Sequence, residues 1–75
     1  MRLEDLQAFA LICDAGQLSR AANRLGSTQS ALSKTVGRLE AEFGVALLER
    51  SARGTLPTAA GAQLLAHARQ LSAVC

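Results

Sequence analysis

Cysteine, histidine, proline and aromatic residues are all scarce in this chain of 75 residues, which has two Cys, one His, one Pro, two Phe and no Trp or Tyr. Cys13 and Cys75 lack the Cys-x-x-Cys spacing, and with His67 they fall short of the four ligands of a structural zinc site. They read as buried or incidental thiols, and no metal or cofactor is expected. Long apolar runs are missing too: the longest is far below the roughly 18 residues that a membrane span needs. The opening MRLEDLQAF carries acids where a signal peptide needs a positive region and then an unbroken apolar stretch, so a cytoplasmic location is expected. Paired acids and a nucleophile beside a base are also lacking, and so short a chain has no second layer to form a cleft. No catalytic residue is assigned, and an enzyme is the least favoured class. Repeats, low-complexity runs and flexible linkers are absent, which leaves one small domain near the size limit for a self-sufficient core.

The formal net charge is only +2, but it is unevenly spread. Residues 1 to 16 set Arg2 against Glu4, Asp5 and Asp14. Residues 17 to 44 hold Arg20, Arg24, Lys34 and Arg38 against Glu40 and Glu42, and the remainder adds Arg50, Arg53 and Arg69 against Glu49. An acidic start followed by a basic middle and end is the asymmetry expected when one side of a small domain faces phosphate.

The chain is organised around Thr28 to Phe43, TQSALSKTVGRLEAEF. Leu32, Val36, Leu39 and Phe43 recur at helical spacing and form a core stripe. Ser30, Lys34, Gly37 and Ala41 lie opposite, flanked by Gln29, Ser33 and Arg38, giving a short, polar, basic face able to approach a surface closely. Thr28 is suited to the N-cap and Gly44 to the position past the C-terminus. Ahead of it, Leu3, Leu6, Phe9, Ala10 and Cys13 predict a helix over 3–15 closed by Gly16, with Leu11 and Ile12 off the stripe and expected to be wet. LSRAANRL predicts a second helix over 18–25, with Leu18, Ala21, Ala22 and Leu25 inward and Arg20 and Arg24 outward. Its start is open, with Gln17 a poor cap and Ser19 the other candidate.

Only Gly26 and Ser27 separate this helix from the Thr28 helix, which forces the two to cross sharply as a helix-turn-helix. Leu18, Ala22, Gly26, Thr28 and Leu32 define the motif: Ala22 is small where the helices meet, Gly26 can take a positive φ, and Leu32 closes the joint. An ordinary helical hairpin would not need that register. After Gly44, VALLERS and TLPT predict two brief strands around Ala52, Arg53 and Gly54, with Leu48 and Leu56 on the inner side and Arg50 and Arg53 projecting. A wing touching DNA is the functional reading of this hairpin, and an irregular loop with solvated arginines is the bland one. Thr58 is expected to cap a last helix that tolerates Gly61 in its first turn. Ala60, Leu64, Ala68, Leu71 and Cys75 form a stripe there, with Leu65 beside it and His67 and Arg69 on the solvated side. The stripe is still running at the last residue, so the helix is expected to continue.

These motifs together resemble the N-terminal domain of the LysR-type transcriptional regulators. The resemblance rests on LEDLQAF, SRAANRL, STQSALSKTVGRLEAEFGVALLER and PTAAG, and covers essentially the whole chain. It implies a mainly α, winged helix-turn-helix fold with a three-helix core, a short β-hairpin wing and a C-terminal linker helix. The expected division is residues 1–57 as the DNA-binding domain and 58–75 as the start of the linker and dimerisation helix. The implied partner is double-stranded promoter DNA, bound as a homodimer, or a tetramer in a full-length protein; a small-molecule effector is expected only for a C-terminal domain that this chain lacks. By resemblance Gln29, Ser30, Ser33 and Lys34 are recognition-helix contacts, Arg53 is the wing contact, and Arg38 and Arg50 join them. Glu40 and Glu42 are expected to pair or to be solvated. The family often has Pro in place of Ser30, Ser in place of Gln17, Phe in place of Leu48 and Arg in place of Lys34. Lysine is a point charge without the two-pronged geometry that reads guanine, so operator preference does not transfer from relatives. Leu64, Leu65, Ala68 and Leu71 are the expected dimerisation residues, since their stripe runs beyond what three helices can cover. The competing class is a helical interaction or dimerisation module without DNA binding, which salt dependence would separate from the first.

Overall fold

The computed structural model describes the backbone of residues 2–74 and the side chains of residues 2–70. Its elements run α1 (Leu3–Ala15), α2 (Leu18–Leu25), α3 (Gln29–Phe43), β1 (Leu48–Ser51), β2 (Gly54–Pro57) and α4 (Ala59–Val74). Element boundaries follow local chemistry. Gly16, Gly26 and Gly44 each close a helix with φ between 64° and 75°. At the α2–α3 joint Gly26 N donates to the Asn23 carbonyl at 3.3 Å and Ser27 N to the Ala22 carbonyl at 2.9 Å, the paired bonds of a Schellman motif. Thr28 then caps α3 by accepting from Ala31 N at 3.1 Å. Only three residues, Gly26, Ser27 and the cap Thr28, therefore separate the end of α2 from the start of α3. Helix α2 starts at Leu18 with Gln17 extended and no side-chain cap, which settles the open start against Ser19.

The buried side chains form two clusters on either side of α1. Ala8, Ile12 and Ala15 of α1 meet Leu18, Ala21 and Ala22 of α2 and Leu32 and Val36 of α3. Leu6 and Phe9 of α1 meet Leu39, Leu47, Leu64 and Ala68. Being packed on two sides, α1 buries more than one stripe: Ile12 is fully buried, not wet as its spacing predicts, and Leu11 is half-buried against the first cluster. Leu3, Leu25 and Phe43 are exposed, each lying at a helix end where the neighbouring element no longer reaches. After Phe43 the chain turns at Gly44, and Leu47 takes the core place expected for the phenylalanine.

Strands β1 and β2 pair antiparallel, with Leu48 opposite Pro57, Glu49 opposite Leu56 and Arg50 opposite Thr55. This register puts Leu56 on the outer face with Glu49, where it is 56% exposed, and turns Thr55 inward. Leu56 is therefore no inner anchor; Leu48 is, packing against both clusters. Strand β2 is also tied to the α1–α2 turn through Thr55 N, which donates to the Gly16 carbonyl at 2.8 Å.

Thr58 caps α4 as expected: its Oγ1 accepts from Gly61 N at 3.1 Å and donates to the Ala46 carbonyl at 2.7 Å. Gly61 is more than tolerated. A Cβ there would run into the Leu47 carbonyl and meet Phe9, so only glycine lets α4 come this close. The expectation that Leu64 and Ala68 outrun the core is not met: they are 8% and 5% exposed, covered by α1, α3 and Leu47 of this same chain. Leu65 is half-buried against that cluster. The side chain of Leu71, and Cys75, lie outside the described residues.

Candidate nucleic-acid interface

Helix α3 buries Leu32, Val36 and Leu39 and leaves its other side open. Gln29, Ser30, Lys34, Gly37 and Arg38 are exposed there, and Ser33 is half-exposed. The hairpin brings a cation onto this face from a distant part of the sequence: Arg50 of β1 donates from a guanidinium nitrogen to Ser33 Oγ at 3.2 Å. Gln29, Ser30, Ser33 and Arg50 line one open cleft with Leu18. Gln29 and Arg50 extend into a neighbouring cleft with Gln17, Ser19 and Ser51. Four of the seven sequence-predicted contacts thus meet at one spot, and Lys34 stands on α3 one turn beyond Ser30.

The other two predicted contacts stand apart. Arg53 is exposed at the hairpin turn between β1 and β2, where its backbone N–H bonds Ser51 Oγ at 3.2 Å. Arg38 is engaged within the chain, pairing with Asp5 at 3.3 Å and bonding Thr35 Oγ1 at 3.4 Å. Its side chain is 64% exposed, so this pair contributes at most about 1 kcal/mol and does not immobilise the guanidinium. Gln17 and Ser19, capping candidates by their place in the sequence, also line the cleft beside Gln29 and Arg50. Their position just before and within the first turn of α2, the helix that crosses α3, was the signal for it.

Chemically the face offers an amide that can donate and accept, two hydroxyls, and cations from α3 and β1. Glutamine fits the paired donor and acceptor of adenine, and serine hydroxyls and cations suit base edges and phosphate. Glu40 turns from α3 to the backbone, its Oε2 accepting from Leu47 N at 2.8 Å and Leu48 N at 3.4 Å. Asp14 pairs with Arg69 at 3.1 Å, so Arg69 is not simply solvated. Burial pushes the Cys13 thiol up to about 11; Asp14 adds to the shift and Arg69 opposes it. Such a thiol is neutral and unreactive near neutral pH. Among the described residues there is no cluster of three His, Cys, Asp or Glu side chains suited to a metal, and no helix long and apolar enough to cross a membrane.

Comparison with known proteins agrees with this geometry. Residues 3–62 match the model of the bacterial regulatory helix-turn-helix proteins of the lysR family. A putative transcriptional regulator of Pseudomonas aeruginosa is 48% identical over 63 residues, covering 84% of this chain and 21% of that protein. The nitrogen assimilation regulatory protein nac of Klebsiella aerogenes is 44% identical over all 75 residues, which are 25% of its length. The chain thus spans a quarter or less of these curated relatives. Among solved structures, CbnR in its DBD–DNA complex superposes with a TM-score of 0.90 at 39% identity, over 99% of this chain and 85% of that one. BenM_DBD bound to catB site 1 DNA gives 0.90 at 32% identity, over 97% and 78%. With the glycine-closed joint, the hairpin docked beside α3 and a family match over four-fifths of its residues, this chain belongs to the lysR family of bacterial regulatory helix-turn-helix proteins.

Proposed function

We propose that this chain is a sequence-specific DNA-binding domain of a transcriptional regulator, with α3 in the major groove of duplex promoter DNA and the wing tip on the adjacent backbone or minor groove. The observation that carries the reading is the convergence of Gln29, Ser30, Ser33 and Arg50 on one exposed face, with Lys34 beside them. The similar CbnR and BenM domains, seen in complexes with DNA, support it. Gln29 reads a base edge, Ser33 and Arg50 take phosphate, Lys34 takes either, and Arg53 enters a narrow groove. Arg38 contributes from the flank by exchanging its exposed pairing with Asp5 for phosphate. A pure interaction module is the weaker reading, because the apolar stripe it would use, Leu64 and Ala68, is spent inside this chain. No catalytic role is proposed, and the cytoplasm, where the promoter is, is the proposed location.

Regulators of this kind act as dimers on two-fold sites, and we propose the same here. Since Leu64 and Ala68 serve the chain's own core, pairing falls to Leu65 and to α4 from Leu71 onward. The effector-binding function belongs to a domain outside these residues.

Binding of labelled operator and random duplexes across a salt series tests the reading. The parent should lose affinity steeply as salt rises. Lys34→Ala should weaken operator binding by roughly 1–3 kcal/mol if the ammonium reads a base, whereas a phosphate-only contact lowers both duplexes alike and reduces the salt slope by about one. Affinity insensitive to salt and to Lys34 would remove α3 from the groove.

A further inference from the structure

We propose that Glu40 is a positioning residue for DNA recognition, holding the wing at a fixed angle to α3 without touching the nucleic acid. The inference rests on the reading of Arg53 as the wing contact. A two-stranded hairpin is marginal by itself and takes its orientation from what its base is fastened to. Here the base is the Leu47–Leu48 peptide. The N–H groups of Leu47 and Leu48 both point to one carboxylate oxygen of Glu40, at 2.8 and 3.4 Å. The Leu47 carbonyl accepts from Thr58 N at 3.0 Å and lies against Gly61, which fastens the same peptide to α4. Leu48 and Pro57 face each other as a pair whose backbone N–H positions point away from the partner strand, so the Leu48 amide has no ladder bond to make and is left for Glu40.

Charge-assisted bonds to a half-buried carboxylate are stronger and shorter than neutral ones, which suits a fixed hinge point. The need for one follows from leverage. Above this point, on the side facing α3, the hairpin stands beside a cavity of about 130 Å³ lined by Ser33, Gly37, Glu40, Leu48, Arg50 and Thr55. Further along, the exposed Arg50–Ser33 bond at 3.2 Å ties β1 to α3, and the Thr55 N–Gly16 carbonyl bond at 2.8 Å ties β2 to the α1–α2 turn. Four strand residues at about 3.3 Å each place the tip roughly 13 Å from the base, where a tilt of about 10° moves Arg53 by ~2 Å. That exceeds the tolerance of a hydrogen bond to phosphate or base.

A double-mutant cycle on one operator at fixed salt tests this, with a circular-dichroism melt confirming that each variant is folded. In the parent, Arg53→Ala should weaken binding about tenfold. In a Glu40→Ala background the same change should cost less than about twofold, because the arginine no longer meets its groove, while Lys34→Ala costs the same in both backgrounds. Glu40→Gln, which keeps an acceptor oxygen, should restore most of the Arg53 effect. If Glu40→Ala does not fold, Glu40→Asp, a carboxylate one methylene too short, takes its place in the cycle with the same expectation. A full Arg53 effect in the altered background overturns the inference and leaves the wing reading standing. No Arg53 effect in the parent removes the wing reading and this inference with it.

Discussion

Two halves of one small core are built from different materials. At the helix-turn-helix joint the buried residues are mostly small or short, with Ala8, Ala15, Ala21 and Ala22 around Leu18, Leu32, Val36 and Ile12. Under the wing and α4 they are Leu6, Phe9, Leu39, Leu47 and Leu64, with Ala68 the only buried alanine of that cluster among the described residues. The difference follows from what each half must do. The joint has three residues between its helices, so the backbones must approach closely and side-chain volume is the obstacle. The other half must fasten a hairpin and a helix that are not stable alone, and there volume supplies the attachment.

That contrast is breakable by substitution, read out by urea denaturation followed at a helical circular-dichroism wavelength. The largest loss should come from removing volume in the second half: Phe9→Ala empties a fully buried site and should cost about 3–5 kcal/mol. Against a total of ~4–11 kcal/mol for a domain this size, the protein should be near its unfolding threshold. A cost below 1 kcal/mol would mean that the wing and α4 are held by something other than this cluster. Enlargement should be the damaging change at the points of close approach. Gly61→Ala drives a methyl into the Leu47 carbonyl, a backbone atom that cannot swing aside, and belongs at the upper end of about 1–3 kcal/mol; Ala21→Leu at the joint falls in the same range. Near-neutral behaviour of Ala21→Leu would show a joint with room in it and erase the distinction. The smallest effect should have the opposite sign. Gly37 is an exposed helix-interior glycine whose added Cβ meets nothing within 4 Å, so Gly37→Ala should stabilise by about 0.5–1 kcal/mol.

The arrangement of the elements was open to a reader of the sequence because its causes are local. Glycines at 16, 26 and 44 end helices through a backbone conformation that other residues resist, Thr28 and Thr58 cap helices with their own hydroxyls, and the period of Leu32, Val36 and Leu39 defines a buried stripe. The exposed face of α3, with Gln29, Ser30 and Lys34, follows from that same period. What a stripe cannot reveal is how many neighbours its helix has. Ile12 is buried because α1 is packed from two sides, and Leu64 and Ala68 belong to the chain's own core because α4 lies on α1. Strand register is likewise set by pairing: one residue of offset exchanges Leu56 for Thr55 as the inward side chain. The meeting of Arg50 with Ser33, of Glu40 with the amides of Leu47 and Leu48, and of Gly61 with a carbonyl fourteen residues earlier joins groups far apart along the chain. Residue type and local spacing determined the helices, their caps and the polar face; only the tertiary structure decided which charges share that face and how the wing is held to it, because those depend on distances across the fold.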